Sequence, residues 1–436
     1  MPGLPRGLQS PLRTGFQYLR APYDTVQQTV ARYGDPFCWP SFMGNMVVSG
    51  DPQGIKTIFT AEPESFRAIG AELLGPVLGE SNLIILSGER HRAMRKLQTP
   101  PFQGTRMRAY GQIIVETARA VAALWPKDRP FGIHPAMQEI SLQVILQAVL
   151  GLSEPKVRQD FQRAVLAAIG ALSPSFLFVP FLRFSFLGLS PWDRFQRARA
   201  HVKALFLAEL ERRRQAKHSS EDILSLLLDS QYEDGTRLSD QELLEQMMNL
   251  IVAGHETTAS SLAWAFYFVH RDSQIRERLI GELQALGPNP DPDALTKLPY
   301  LEAVCNETLR ICPVAPMTGR VLTRPLSLLG YDLPAGTHLG IASIITHRRK
   351  DLYPEPDRFL PDRFLSHTYS PFEFLPFGGG SRRCLGAAFA MYEMKLVIGT
   401  ILREHKLRLC SEQAVRPAVR NTTVGPGSAI PMRRSS

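Results

Sequence analysis

One thiol in this chain stands where a thiolate would be stabilised. The stretch Phe377-Gly378-Gly379-Gly380-Ser381-Arg382-Arg383-Cys384-Leu385-Gly386 follows a segment, 370–376, with two prolines and no helical period. It precedes a helical pattern running from Ala387 to about Lys406. The spacing puts Cys384 on a glycine-rich loop at the mouth of a helix, where backbone N–H groups and the helix dipole favour an anion. Arg382 and Arg383 add positive charge, and such surroundings lower a thiol pKa. Three chemistries use a thiolate of this kind. A phosphatase nucleophile wants an arginine six residues on, but Ala390 is there. A zinc site wants a second Cys or a His at close spacing, and neither is near. An axial ligand to haem iron pushes electron density onto the metal and favours O–O cleavage; glycines would let the loop pass close beneath a flat macrocycle. A lone cysteine could equally be a buried structural one beside a turn.

A second constellation interrupts the longest helical pattern, Ser239 to about His270. Ser239-Asp240-Gln241-Glu242 is a capping-box start. A helix of about 30 residues spans about 45 Å, enough to cross a domain. Met247 to Ala253 is almost wholly apolar, and then come Gly254, His255, Glu256, Thr257 and Thr258. A mid-helix glycine costs about 1 kcal/mol relative to alanine, and buried Glu or Thr costs more unless paired. A zinc-protease HExxH motif would need His at 259, where Ala259 stands. Two readings remain: a kink capped by threonine, or a helix opened locally for small molecules. In the second, Gly254 removes bulk, Thr257 offers a hydroxyl to an oxygen ligand and Glu256 relays protons.

Two further stretches are weaker alone. His91 and Arg95 share a face of a basic helix over 88–97 and read, by themselves, as a solvated face. Glu307 and Arg310, three apart in a helix over Pro299–Arg310, read as a surface ion pair.

These stretches, in this order, resemble the cytochrome P-450 family, the haem-thiolate monooxygenases. Phe377, Gly380, Arg382, Cys384 and Gly386 match every fixed position of its cysteine signature. Ala253-Gly254-His255-Glu256-Thr257-Thr258 matches its oxygen-activation motif. The resemblance implies haem b (iron protoporphyrin IX), with Cys384 as the metal ligand and Glu256, Thr257 and Cys384 as catalytic residues. It implies that Ala253, Gly254, Phe377, Gly378 and Gly386 lie against the haem. His91, Arg95, Arg320 and Arg382 would hold its propionates; many members have Trp where this chain has His91. Glu307 and Arg310 would form the ExxR motif, a buried pair joined by a second arginine. That partner is expected at Arg363 in Pro361-Asp362-Arg363-Phe364, although the usual motif has Glu at Asp362 and Pro356-Asp357-Arg358-Phe359 is a near-duplicate.

Helices must position most of these groups. Helical patterns also occupy 23–33, 52–59, 118–124, 139–152, 191–216 and 273–286, and a strand is expected at 45–48. Hairpin strands are expected around Pro334-Ala335-Gly336 within 326–345, with a Gly/Pro turn between extended segments at 421–430. Phe176, Phe178, Phe181, Phe184 and Phe186 crowd a segment interrupted by Pro174 and Pro180. It reads evenly as core packing or as an apolar mouth for lipophilic substrate, touching a membrane.

Length alone suggests two or three domains for 436 residues, but no low-complexity linker or internal repeat separates them. Hydrophobic content of 44% with 21% charge is ordinary for a globular chain. Five cysteines without a CxxC pair are not a disulfide framework and fit a reducing compartment. The net charge of +9 suits an anionic membrane surface or an acidic protein, and the lack of a basic run of five argues against nucleic acid. Residues 1–20 hold no apolar run fit for a signal or span.

The expectation is a mainly α fold, one compact cytochrome P-450-type domain over 1–436 with small peripheral β-sheets and no fused reductase or ferredoxin domain. The resemblance implies a soluble, cytoplasmic, bacterial-type monomer. It would use O₂ and two electrons from an acidic ferredoxin or flavodoxin to hydroxylate or epoxidise a fatty acid, terpenoid or similar lipophile. Lys96 and Lys395 would extend the positive docking surface. The rivals are a peroxide-driven enzyme of the same family and a non-catalytic haem sensor.

Overall fold

The structure is a computed structural model that describes residues 4–41, 44–104, 106–172, 180–216 and 222–435. Phe176, Phe178 and Pro174 lie outside them. Helices dominate, as expected, and the chain divides into two compact units.

The first unit comprises Met1–Ile69, Ile114–Ile140 and Thr257–Ser436. Every named strand lies in it. Strands β1 (Phe37–Ser41), β2 (Gly44–Ser49), β3 (Phe66–Ala68), β5 (Thr318–Leu322) and β8 (His338–Ile341) form a sheet ordered β1-β2-β8-β5-β3. β2 and β8 run parallel, with Val47 opposite Leu339. Alternate apolar residues bury Val47, Leu322, Leu339 and Ile341 against Ile55, Ile58 and Phe59 of the helix Pro52–Thr60. That helix starts where Asp51 accepts from the Gln53 and Gly54 amides, at 2.8 and 3.3 Å, with Pro52 as its first residue. Strands β4 (Pro130–Gly132), β12 (Pro431–Arg434) and β9 (Leu407–Leu409) make a second sheet.

The expected hairpin at Pro334-Ala335-Gly336 is displaced. β6 (Leu326–Leu328) pairs with β7 (Tyr331–Leu333) across Leu329-Gly330, both at positive φ, of 48° and 84°. The Pro334–Gly336 turn instead carries the chain from that ribbon into β8 of another sheet. Likewise β10 (Pro417–Arg420) and β11 (Thr423–Pro426) reverse at Asn421, φ 54°, near the start of the expected turn.

The second unit, Gly70–Ile113 and Ser141–Glu256, holds only helices and loops among its named elements. The helices Pro155–Ala171 and Pro191–Ala216 meet through Ala164, Ala168 and Val202, where small residues permit close approach. The helix Asp240–Arg271 runs continuously through both stretches of sequence. Its start is the expected capping box: the Ser239 amide donates to Glu242 at 2.9 Å and the Glu242 amide to the Ser239 hydroxyl at 3.2 Å.

Candidate active site

The cysteine loop is anchored by the helix that carries Phe59. Gly378 and Gly380 both take φ 63°, a region that penalises any side chain. A Cβ at Gly379 would fall 2.2 Å from the Phe59 ring, and one at Gly380 2.8 Å from the Phe59 carbonyl oxygen. The Cys384 amide closes the loop on the Phe377 carbonyl at 2.9 Å. Gly386 then caps the helix Ala387–Glu404. The thiol of Cys384 is exposed, whereas Cys305 and Cys312 are buried and burial pushes both up to about 12. The structural reading of Cys384 as a buried packing residue is thereby excluded.

Arg320 is brought to the same loop from β5. It is 6% exposed and donates from Nη2 to the Gly379 carbonyl at 2.7 Å. Its guanidinium lies 5.4 Å from the Phe59 ring centre and 5.2 Å from that of Phe66. Burial, with Arg382 beside it, lowers its pKa to about 10. A buried cation near a second cation, with no acidic partner among the described residues, favours an anion from outside the chain. The propionate of a haem fits that demand, and the exposed thiol on a glycine loop fits its iron.

The same unit holds the ExxR network. Arg310 grips Glu307 with two parallel bonds, Nε to Oε2 at 2.6 Å and Nη2 to Oε1 at 2.8 Å, both side chains wholly buried. Arg310 also donates to the carbonyls of His347, Pro356 and Arg358. Arg363 completes the group, Nε to Glu307 Oε1 at 3.1 Å, and the Leu360 amide donates to the same oxygen at 2.8 Å. Arg358 pairs instead with exposed Glu355, and Asp362 with exposed Arg278. Sequence reasoning missed His347. It is buried, its Nε2 accepts from the Leu375 amide at 3.0 Å, and burial with Arg310 pushes it down to about 3. It therefore fixes the chain just before the cysteine loop as a neutral imidazole.

At the centre of the long helix Val252, Ala253, Gly254, Glu256 and Thr257 are at least partly exposed, whereas Thr258 to Ala265 are all buried. The Thr257 carbonyl accepts from the Ser261 hydroxyl at 2.9 Å. Gly254 has a packing reason of its own. A Cβ there would stand 3.0 Å from Ile145 Cδ1, on the helix Ile133–Leu150. In the same unit His91 is buried on the helix Gly88–Gln98, and Arg95 stands one turn on, on the same face.

The expected cationic extension does not hold for Lys395. Its side chain is 12% exposed and is spent on Glu302 at 2.8 Å and the Thr296 carbonyl at 3.0 Å. Lys96 is paired with Glu233 at 2.6 Å.

A fold of helices with small sheets, an exposed thiol on a glycine loop and a buried ExxR network define a haem-thiolate protein. The sequence model of the family "Cytochrome P450" matches residues 11–430, and the chain belongs to that family. It is 37% identical over 430 residues to the putative cytochrome P450 135B1 of Mycobacterium tuberculosis, covering 97% of this chain and 88% of that one. The putative cytochrome P450 137 of the same organism is 31% identical, covering 98% and 89%. The structure of a retinoic acid bound cyanobacterial CYP120A1 superposes with a TM-score of 0.87 at 27% identity, over 100% of both chains. This chain is accordingly a haem-thiolate monooxygenase. Among the described residues no single helix is long and apolar enough to cross a membrane.

Proposed function

We propose that the chain hydroxylates or epoxidises a lipophile with O₂ and two electrons from an acidic ferredoxin or flavodoxin. The observation that carries this is the acid–alcohol pair Glu256–Thr257, half-buried in the apolar centre of the long helix. A sensor or electron carrier has no use for it. Haem b, when bound, supplies oxygen activation and transfer of one oxygen atom. Cys384 would give its thiolate to the iron, and His91, Arg95, Arg320 and Arg382 would pair with the propionates. Thr257 would hold a proton at its hydroxyl, and Glu256 would pass protons inward from solvent.

Apolar segments supply the substrate surface. In the first unit the Val424 amide donates to the Val314 carbonyl at 2.8 Å, which joins 315–318 to 422–424. In the second, Ile84 and Val252 are 52% and 38% exposed. The cyanobacterial neighbour carries retinoic acid, an apolar acid, which supports fatty acids and terpenoid acids as the first panel. The test is Thr257→Ala with a panel member that shifts the haem spin state. The variant should still bind substrate and consume electrons, but release more peroxide per product. Unchanged coupling would sink the reading. So would wild-type turnover that needs peroxide and ignores reduced ferredoxin.

A further inference from the structure

We propose that the helix Pro11–Arg20 docks onto an anionic lipid bilayer. The helix is built with its apolar side out. Thr14 is buried, and the Tyr18 ring meets Trp39 edge-on at 5.8 Å. On the opposite side Leu12, Phe16 and Leu19 are 73%, 67% and 63% exposed. Positions i, i+4 and i+7 form a single stripe down one face. Leu4, 51% exposed, precedes it.

The occupant follows from the charge around the stripe. Arg13 and Arg20 border it, and Arg6 lies just before the helix, all exposed and none in an ion pair with a described residue. The first acidic residue of the whole chain is Asp24, so residues 1–23 carry only positive side-chain charge. An apolar stripe edged by arginines suits the boundary between headgroups and acyl chains, where the stripe enters and the guanidiniums stay with phosphates. Ten residues make about 15 Å of helix, half of a hydrocarbon core of about 30 Å, so the helix would lie in the surface and not span it. A second copy of the chain is a poorer occupant, because a two-fold contact through this stripe sets arginines beside arginines.

The full-length, haem-loaded protein would be sedimented with vesicles of phosphatidylcholine alone and of equimolar phosphatidylcholine and phosphatidylglycerol. Wild type should bind the mixed vesicles, less so at high salt. Leu12→Glu with Phe16→Glu should lower partitioning about tenfold or more. Arg13→Gln with Arg20→Gln, which alters only exposed side chains, should lower it about tenfold on the mixed vesicles alone. Every variant is checked for the wild-type spectrum of the reduced, CO-bound haem. Wild type left in the supernatant overturns the proposal. So does unaltered binding by both variants, which would place any membrane contact elsewhere. A dimer that Phe16→Glu dissociates, without vesicle binding, would make a second copy the occupant and overturn it as well.

Discussion

Arg363 reaches buried Glu307 at 3.1 Å, while Arg358, in an almost identical tetrapeptide five residues earlier, pairs with Glu355 on the surface. Burial, and not local sequence, separates the two arginines. Removing one partner of a buried pair costs about 3–5 kcal/mol, a large share of a typical total of about 5–15 kcal/mol. Glu307→Ala and Arg363→Ala should therefore give little haem-loaded protein, and Arg358→Ala nearly normal amounts. Haem content per purified protein measures this. Equal yields for Arg363→Ala and Arg358→Ala would contradict the network.

Gly378 and Gly380 share the same φ but not the same surroundings. Gly378→Ala meets open space and should cost only the left-handed backbone penalty, about 1–2 kcal/mol. Gly380→Ala adds a collision with the Phe59 carbonyl and should lose haem much faster. Dissociation of haem to an acceptor globin, followed in time, compares them; equal rates would mean that the close approach to Phe59 does not hold the loop.

Stability should fall in mild acid through His347. Its pKa is about 3 when folded, against an ordinary 6.5, so the unfolded chain binds a proton that the folded one refuses. The stabilisation is complete above pH ~6.5 and is lost as pH falls from there towards 3, at up to about 1.4 kcal/mol per pH unit. His270, lowered to about 4 by burial, acts in the same direction. Urea unfolding between pH 7 and 5 should show a shallower slope for His347→Gln, whose amide oxygen still accepts from Leu375. An unchanged slope would mean that folding does not depress the His347 pKa.

The long helices were legible because their ends carry chemistry. Ser239 and Glu242 announce Asp240–Arg271, and Pro299 announces Pro299–Ile311. The cysteine loop and the ExxR group were legible as motifs. The helix Pro11–Arg20 was not, since its apolar residues face solvent and its packed side is Thr14 and Tyr18. The helix Ala71–Leu78 was hidden by Pro76 inside it. The reversal at Leu329-Gly330 was hidden because a leucine at positive φ follows no propensity rule, whereas Pro334-Ala335-Gly336 has all the usual turn residues. Phe59 carries no signal of its own; only the folded loop reveals why Gly379 and Gly380 must be bare.

The partner-docking expectation changes with Lys395. A lysine already spent on Glu302 does not steer an acidic partner, so Arg383, exposed beside Cys384, is the better probe. Arg383→Glu should slow the first electron transfer from an acidic ferredoxin at low ionic strength, and added salt should shrink the difference. Lys395→Met should leave that rate unchanged. Stopped-flow reduction under CO reads both, and a flat salt dependence with an unaffected Arg383→Glu would place docking elsewhere.

The central claim is that Cys384 gives its thiolate to haem iron. The absorption spectrum of the reduced, CO-bound protein tests it most directly. Wild type should show the strongly red-shifted haem band that an axial thiolate produces, and Cys384→Ala, reconstituted with haem, should show the unshifted band. A wild-type spectrum without the red shift, or a Cys384→Ala protein that keeps it, would contradict the account.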